Sequence, residues 1–331
     1  MDPNQVILKI YEVRCHNKWD YNKYRKENPL SRRDNEGLWS WKQSENNNRM
    51  IAAQNDENLG GPGENNIKLA YFGGSCFRLT TPAGLTLMID PWRNPPWGGW
   101  DWYLYDFPLC EVDVGLSTHA HFDHDNLHSL HASVLLDRLI GCFEFADFKI
   151  SGIADKHVSD SKHNKYDWAG LTQKLTPMET KPPNNWRSFD NSILVIETAN
   201  MRILHWGDNR PNPPEEIWSA IGQVDIALLP IDGSEHVLSY QQIDYVRSRL
   251  KPHITIPHHY FVWNITHRAS CLLPPDTWMK SQQNAKFTEK GEITLQLEEV
   301  KSQKDLALCF GNDVAFIPEK ELKNKEKRVG A

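Results

Sequence analysis

Short runs of aliphatic and β-branched residues begin at Ile67 and recur along most of the remaining chain. The first three runs, IKLAYF, CFRLTT and GLTLMID, are separated by the turn sequences GGS and PAG. Runs of this length bounded by Gly, Pro and Ser are typical of β-strands joined by tight turns. They predict an antiparallel meander. The next run, VDVGLST, places Val112, Val114 and Leu116 on one face and predicts a further strand.

Helices and strands are predicted to alternate after residue 118. The segment LHSLHASVLLDRL spaces Leu127, Leu130, Val134 and Leu135 as one face of a helix. Two later segments also favour helices: PPEEIWSAI begins with prolines, and SYQQIDYVRSRL begins with Ser239 as a candidate N-cap. Further strands are predicted at FKISGI, ILVIET, RILHW, IALLPI, ITIPHH, ITLQLEEV and ALCFGNDVAFIP. A meander followed by such alternation predicts mixed sheets covered by helices.

The chain before Ile67 has a different texture. Residues 16–58 are rich in Asn, Lys, Arg and Glu with few aliphatic residues, and a GGPGENN turn sequence follows them. We therefore expect an N-terminal arm at 1–66, a main domain at 67–317 and a polar tail at 318–331. The arm's aromatic residues would order it in part, against the main domain or a second copy of the chain in a homo-oligomer. A loosely ordered extension is the alternative.

Composition narrows the class of protein. A count of 37 Lys and Arg against 43 Asp and Glu gives 331 residues a net charge of −6, whereas a nucleic-acid-binding protein needs a clustered positive surface. No apolar run approaches the roughly 20 residues that cross a bilayer, and the N-terminus has no secretory signal pattern. The 6 cysteines form no CxxC pair, which predicts reduced thiols. We expect a cytoplasmic protein with a small-molecule substrate and neither a nucleic-acid nor a membrane partner.

The strongest chemical signal directly follows the strand at 112–118. His119, His121, Asp123 and His124 form the pattern H-x-H-x-D-H. Imidazoles at i and i+2 at the end of an extended segment can face one ion, and the Asp-His pair in the turn that follows can face a second position. Neutral imidazole and carboxylate are ligands that zinc-like divalent ions prefer. Because this spacing is rare by chance, it predicts a metal centre.

This motif resembles that of the metallo-β-lactamase-fold hydrolases, and within them the small lactonase- and phosphodiesterase-like members. The resemblance covers roughly residues 67–316. It implies an α+β fold, namely an αββα sandwich of two mixed β-sheets flanked by helices, with the metal site at the edge between the sheets. It also implies Zn²⁺ as the cofactor, with one or two ions per chain.

The resemblance implies three further ligands. A His after a downstream strand is matched by His157, with His163 as its competitor, and an acidic residue in a Gly-Asp turn is matched by Asp208. A His after a late strand is matched by His259, with His258 as the less favoured neighbour. A plain turn is the alternative role for Asp208, because Gly-Asp-Asn is good turn chemistry. The implied ligands are His119, His121 and His157 for one ion, Asp123, His124 and His259 for the other, and Asp208 between them.

Two further features lie near the motif in the chain. The resemblance gives Asp90 the role of a carboxylate that orients a ligand imidazole, and a turn residue before Pro91 is the alternative. The Pro- and Gly-rich segment at 91–107 is strongly aromatic, which predicts a wall or lid for an apolar or aromatic substrate. A dimer contact, or packing beneath the arm, is the alternative. The candidate substrate-binding residues are Trp92, Trp97, Trp100 and Trp102.

The expected activity is hydrolysis. Two dications a few ångströms apart can share a water, lower its pKa and stabilise the charge that develops on the substrate. The resulting metal-bound hydroxide would attack a small, apolar or aromatic ester, lactone or phosphodiester, with Asp123 or Asp208 carrying a proton to the leaving group. Phosphate recognition would use Arg93 or Arg210. The alternatives are a hydrolytic dehalogenase of a chlorinated aromatic and, less favoured, a nuclease or a metal-free binding protein of the same fold.

Overall fold

The computed structural model describes residues 45–55, 65–94, 101–158, 189–233, 236–268 and 270–316. The predictions for most of the N-terminal arm, for Trp97, Trp100 and His163, and for the polar tail lie outside these ranges. Among the helices within them, none is long and apolar enough to cross a membrane.

The meander predicted from the first three apolar runs forms one side of a six-stranded sheet. Strands β1, β2 and β3 pair antiparallel in succession, and β4 and β5 then add in parallel to β3. The late strand β13 pairs antiparallel with β1, which gives the order β13-β1-β2-β3-β4-β5. The strands are β1 (Asn66–Gly73), β2 (Cys76–Thr80), β3 (Thr86–Ile89), β4 (Glu111–Ser117), β5 (His131–Asp137) and β13 (Glu292–Gln296).

A second sheet has eight strands in the order β12-β14-β11-β10-β9-β8-β7-β6. Strands β6 to β9 pair antiparallel, whereas β9, β10, β11, β14 and β12 are parallel. Every residue of β10 and β11 is buried, as expected of central parallel strands. The strands are β6 (Gly141–Phe145), β7 (Phe148–Asp155), β8 (Asn191–Thr198), β9 (Met201–His205), β10 (Ile226–Pro230), β11 (Ile254–His258), β12 (Ala285–Phe287) and β14 (Leu306–Cys309).

Helices pack against both sheets. The first helix contacts β4 and β5, and the second and third contact β7 and β10. Ser239 caps the third helix, because its Oγ accepts the Gln242 amide at 3.3 Å while the Gln242 side chain accepts the Ser239 amide at 2.8 Å. Two mixed sheets with flanking helices confirm the predicted αββα fold class. The helices are α1 (Glu45–Asn55), α2 (Glu215–Ile221), α3 (Tyr240–Leu250), α4 (Asp276–Ser281) and α5 (Leu297–Ser302).

The helix predicted over 127–139 is wrong. A short 3₁₀ turn at Asn126–Ser129 leads into β5, which pairs in parallel with β4. Leu130 and Leu135 pack directly over Gly115 of β4, where an added Cβ would lie 2.8 Å from each side chain. The helical spacing of the leucines therefore serves packing on a neighbouring strand, and sheet pairing overrides the local pattern. Similarly, the predicted strand ITLQLEEV divides into β13 and α5.

Candidate metal centre

The histidines and aspartates of the predicted metal centre lie on loops that follow five strands. Asp90 follows β3, the H-x-H-x-D-H motif follows β4, and His157 follows β7, while Asp208 and His259 come after β9 and β11. The loops are tied to one another by their backbones. The Val158 amide donates to the Asp208 carbonyl at 2.8 Å, so that the loops after β7 and β9 hold His157 and Asp208 side by side.

The first group of side chains comprises His119, His121, His157 and Asp208, whose ligand atoms lie within 4.8 Å of one another. Nε2 of His119 is 3.1 Å from Nδ1 of His121. Oδ2 of Asp208 is 3.8 Å from Nε2 of His119 and 3.4 Å from Nε2 of His157. The structure therefore brings the residues at 157 and 208 to the two histidines of the motif.

The second group comprises Asp123, His124 and His259. Oδ2 of Asp123 is 3.5 Å from Nε2 of His124 and 3.2 Å from Nε2 of His259. The same Oδ2 of Asp208 that faces the first group is 3.5 Å from Nε2 of His124 and 3.6 Å from Nε2 of His259. One carboxylate oxygen thus lies within 4 Å of imidazole nitrogens from both groups, which is the placement expected of a bridging ligand.

These residues fit a pair of zinc-like ions. Two ligand atoms about 2.1 Å from one tetrahedral ion are themselves roughly 3.4 Å apart, which is close to the separations of 3.1–3.8 Å above. The second carboxylate oxygen of Asp208, Oδ1, is buried and has no hydrogen-bond partner among the residues described. Because a buried carboxylate oxygen without a donor is costly, a cation is the natural partner for it.

The protonation states prepare most of the cluster for a cation. Burial and the neighbouring His157 lower the pKa of His121 to about 3, and burial together with His124 lowers the pKa of His119. Burial alone would raise the pKa of Asp123 and Asp208, but the charges of adjacent histidines outweigh it and hold both pKa values well below their usual range. These groups therefore present neutral imidazoles and ionised carboxylates at neutral pH.

His124 is the exception in the cluster. Burial lowers its pKa, but three carboxylates, Asp208, Asp123 and Asp90, outweigh burial and raise the pKa well above its usual value. In the absence of a cation, a protonated His124 compensates part of the negative charge. A metal ion at this position would replace that proton.

Asp90 holds His124 in the orientation that the cluster needs. Its Oδ2 lies 2.8 Å from Nδ1 of His124, and the two carboxylate oxygens also accept the Thr118 amide and hydroxyl, each at 2.7 Å. This contact fixes the imidazole so that Nε2 faces the other ligands. Asp90 and His259 both have left-handed backbones, with φ of 49° and 59°. Such strain in non-glycine residues clusters at functional sites.

A family model described as a beta-lactamase superfamily domain matches residues 68–259, more than half of the chain. The chain belongs to this superfamily. A UPF0173 protein of Pyrococcus abyssi is 26% identical over 59% of this chain and 83% of its own length. A UPF0173 metal-dependent hydrolase of Thermoplasma acidophilum is 25% identical over 60% of this chain and 86% of its own length. A metallo-β-lactamase superfamily protein of Thermotoga maritima has the same fold, with a TM-score of 0.51 and 21% identity over 73% of this chain and 98% of that one.

His258, the residue before His259, contacts Ser75 and His205 and belongs to neither group of the metal centre. Its Nδ1 lies 3.0 Å from the Ser75 hydroxyl, and its ring stacks on His205 with centroids 4.8 Å apart. Nε2 of His205 lies 2.9 Å from the Ser75 carbonyl oxygen, and Nδ1 of His205 accepts the Gly207 amide at 3.1 Å. The His205–His258 pair therefore supports the turn before Asp208, and His259 is the member of the IPHHYF sequence that faces the cluster.

The aromatic segment after Asp90 divides between core and site. The prediction that Trp92 binds substrate is wrong, because the side chain is fully buried, stacks on Tyr103 at 3.9 Å and donates its indole N–H to the Phe72 carbonyl. Trp102 instead lies beside the cluster, with its ring 5.3 Å from Phe122 and 6.2 Å from His259. Trp97 and Trp100 fall outside the described residues.

The two arginines considered for phosphate recognition are engaged in ion pairs. Arg93 contacts Asp125 at 3.0 Å, and Arg210 contacts the buried Asp155 at 2.6 Å. The Arg210 pair braces the loop after β7, because Asp155 also accepts the Asn209 amide group at 2.8 Å. Both guanidinium groups therefore stabilise the loops that carry the ligands of the metal centre.

Two buried residues next to the cluster were not predicted. Asp232 and His236, on the loop after β10, form a buried ion pair, and with His259 they make a third group of ligand-type atoms within 4.8 Å. The sequence DGSEH carries no metal-ligand spacing of its own. Only its position after a predicted parallel strand, at the same sheet edge as Asp208 and His259, could have indicated it.

Proposed function

We propose that the chain is a zinc-dependent hydrolase with two metal ions, acting on a small apolar or aromatic ester or lactone. The observation that carries the proposal is the position of Asp208 Oδ2, which lies 3.4–3.8 Å from imidazole nitrogens of His119, His157, His124 and His259. A single metal ion or an ordinary turn would not need one oxygen shared by both groups. Membership of the superfamily and the names of the UPF0173 relatives agree with this function.

The residues of the two groups would hold the ions. His119, His121 and His157 supply three nitrogens for one position, Asp123, His124 and His259 supply the other, and Asp208 belongs to both. Bound zinc supplies a water of lowered pKa and polarises the oxygen of the group under attack. Five of the seven ligand side chains are histidines, and imidazole nitrogen favours zinc or a similar transition-metal ion.

The carboxylates of the cluster can move protons. The histidines beside Asp123 hold its pKa well below the usual range despite burial, so the group is ionised at neutral pH and would carry a proton only transiently. Delivery of that proton to the leaving oxygen would complete hydrolysis. The same argument applies to Asp208, but its position between the groups makes Asp123 the better placed proton carrier.

The surroundings of the cluster favour an uncharged substrate. Trp102 places its ring against His259 of the second group, and Phe122 packs on the edge of Trp102; aromatic surfaces of this kind bind apolar substrate groups. Arg93 and Arg210 are paired with aspartates, so a phosphodiester would have no further cationic side chain from these two arginines beyond the metal ions. We therefore place esters and lactones ahead of phosphodiesters. A cytoplasmic location is part of the proposal, supported by the absence of disulfides among the five described cysteines.

The test combines metal quantification with a substrate screen. Protein purified without chelator should contain up to two zinc equivalents and should hydrolyse aryl esters or lactones in preference to phosphodiesters and haloaromatics. His121→Ala should abolish hydrolysis and leave the circular dichroism spectrum unchanged. His131→Ala, which removes a histidine of β5 that pairs with Glu111 at 3.1 Å, is the matched control and should retain activity. Protein without transition metal, or an active His121→Ala variant, would refute the proposal.

A further inference from the structure

The Asp232–His236 pair has no part in the ligand sets above, yet it is built into the fold. Asp232 is fully buried and His236 is 1% exposed. Oδ2 of Asp232 bonds Nδ1 of His236 and also accepts the Val237 amide at 2.8 Å. The Asp232 carbonyl in turn accepts the Leu273 amide at 2.9 Å. The carboxylate is therefore fixed by the backbone, and it fixes the imidazole ring.

The ring of His236 packs against His259. The two centroids are 4.9 Å apart with an interplanar angle of 37°. His259 also stacks with His124, with ring centroids 5.6 Å apart and an interplanar angle of 23°. It makes an edge contact with Trp102 at a centroid distance of 6.2 Å. His236 is itself in edge contact with Trp102 at 5.6 Å. His259 is thus in contact with three aromatic rings. Buried carboxylates outside the ligand sets anchor two of them, Asp90 for His124 and Asp232 for His236.

This packing replaces a contact that metal-binding histidines normally have. Such histidines almost always donate their second ring nitrogen to a carboxylate, carbonyl or water, as His124 does to Asp90. Nδ1 of His259 is buried and has no hydrogen-bond partner in the described part of the chain. Its backbone is also in the left-handed region, with φ of 59°. Its orientation is therefore set by neighbouring rings.

We propose that Asp232 and His236 are a positioning pair that fixes the His259 imidazole for the second metal ion. The inference rests on the two-ion function proposed above. The alternative is that Asp232, His236 and His259 themselves hold an ion, since their ligand atoms lie within 4.8 Å of one another. The rings of His236 and His259 pack at a centroid distance of 4.9 Å and an angle of 37°, and the bond to Asp232 already occupies Nδ1 of His236. Positioning therefore fits the geometry better than ligation.

The experiment measures zinc affinity by chelator competition in wild type and in Asp232→Asn, His236→Ala and His236→Phe. Loss of a partner that orients a metal ligand lowers metal affinity about 10- to 100-fold. We expect His236→Ala to weaken the second equivalent by that factor and leave the first unchanged. His236→Phe, which keeps a ring against His259, should recover part of the affinity. The visible spectrum of cobalt-substituted protein should change in His236→Ala at the second equivalent only.

The matched control is His253→Ala, which removes another histidine near an aspartate, with Nε2 of His253 4.0 Å from Asp225 and remote from the cluster. It should bind both equivalents as the wild type does.

If His236→Ala fails to fold, the isosteric Asp232→Asn decides, with the same expected weakening of the second equivalent. Unchanged affinity in a folded His236→Ala, or in Asp232→Asn, would overturn the inference. Equal losses in His236→Phe and His236→Ala would favour ligation and overturn it as well. A wild type that never takes a second ion would instead refute the two-ion function itself.

Discussion

The Asp90 carboxylate offers the sharpest single test of how the cluster is oriented. Its Oδ1 accepts the Thr118 amide, and its Oδ2 accepts the Thr118 hydroxyl and contacts Nδ1 of His124, all at 2.7–2.8 Å. In Asp90→Asn, an amide nitrogen replaces one oxygen. If it replaces Oδ2, it donates to His124 Nδ1 and forces the proton onto Nε2, the atom that faces the ligands. At the Oδ1 position it would oppose the Thr118 N–H, which can only donate, so we expect the nitrogen at the Oδ2 position.

The magnitude follows from these contacts. Removing a buried charge-assisted hydrogen bond destabilises a protein by about 1.5–3 kcal/mol, and both amide orientations lose at least one such bond. The wrong His124 tautomer should additionally lower zinc affinity at the second position about 10- to 100-fold. Urea unfolding in the presence of chelator measures the first effect. Chelator competition measures the second, and the left-handed backbone at Asp90 is tolerated by asparagine.

The chain contains a close control for this substitution. Oδ2 of Asp113, which is also fully buried, accepts the Thr86 amide at 2.8 Å and the Thr86 hydroxyl at 2.9 Å, and Asp113 lies within β4, before the metal-ligand motif. Asp113→Asn should therefore lower stability by a similar amount and leave zinc affinity unchanged. The reasoning is refuted if Asp90→Asn binds both ions as tightly as the wild type, or if Asp113→Asn loses affinity equally.

Three further outcomes are expected. The pKa of His121 is about 3 in the folded chain and near 6.5 when unfolded, so the unfolded chain takes up a proton first and the folded chain loses stability as the pH falls below 6.5. In His121→Gln, the metal-free protein should therefore lose about 2 kcal/mol less unfolding free energy between pH 7.5 and 5 than the wild type does. Urea titrations at the two pH values measure this difference. Trp102→Ala should raise KM for aryl esters more than for alkyl esters, and equal effects would contradict an aromatic wall. Ser239→Ala should lower the unfolding free energy by about 1 kcal/mol, with activity unchanged, because it removes the cap of α3.

Local pattern predicted the strands well wherever a run was short and bounded by turn residues. The GGS and PAG turns delimit β1, β2 and β3 because their glycines, Gly73, Gly74 and Gly84, occupy left-handed conformations, with φ of 84°, 58° and 79°. Prediction failed at β5, where a helical spacing of leucines reflects packing on Gly115. Strand pairing between distant segments is a tertiary effect, and local spacing carries no signal for it.

The site shows the same division. The H-x-H-x-D-H motif indicates its own chemistry because its ligands are close in sequence, whereas His157, Asp208 and His259 were placed only through a family resemblance. Their convergence depends on the strand order of two sheets, which no single segment encodes. The pair Asp232–His236 lies at the same edge, but it resembles no ligand motif, so neither the local pattern nor the family resemblance predicted it. Trp92 was misassigned because an aromatic loop residue and a core residue look alike in sequence.

We expect metal binding and folding to be coupled in this cluster by charge and by strain. Asp90, Asp123 and Asp208 are at most 5% exposed, and without a cation a protonated His124 offsets part of their mutual repulsion. Left-handed backbones at Asp90 and His259 add about 1–3 kcal/mol of strain each. The Asp90 amide donates to the Leu116 carbonyl and the His259 amide to the Gly74 carbonyl, at 2.9 and 2.8 Å, so the strained residues are anchored to the strands and adjoining turn of the first sheet. Two dications would remove the repulsion without moving these anchors. The sheets therefore hold the ligand loops in place, and metal binding would add its free energy to the stability of the folded chain.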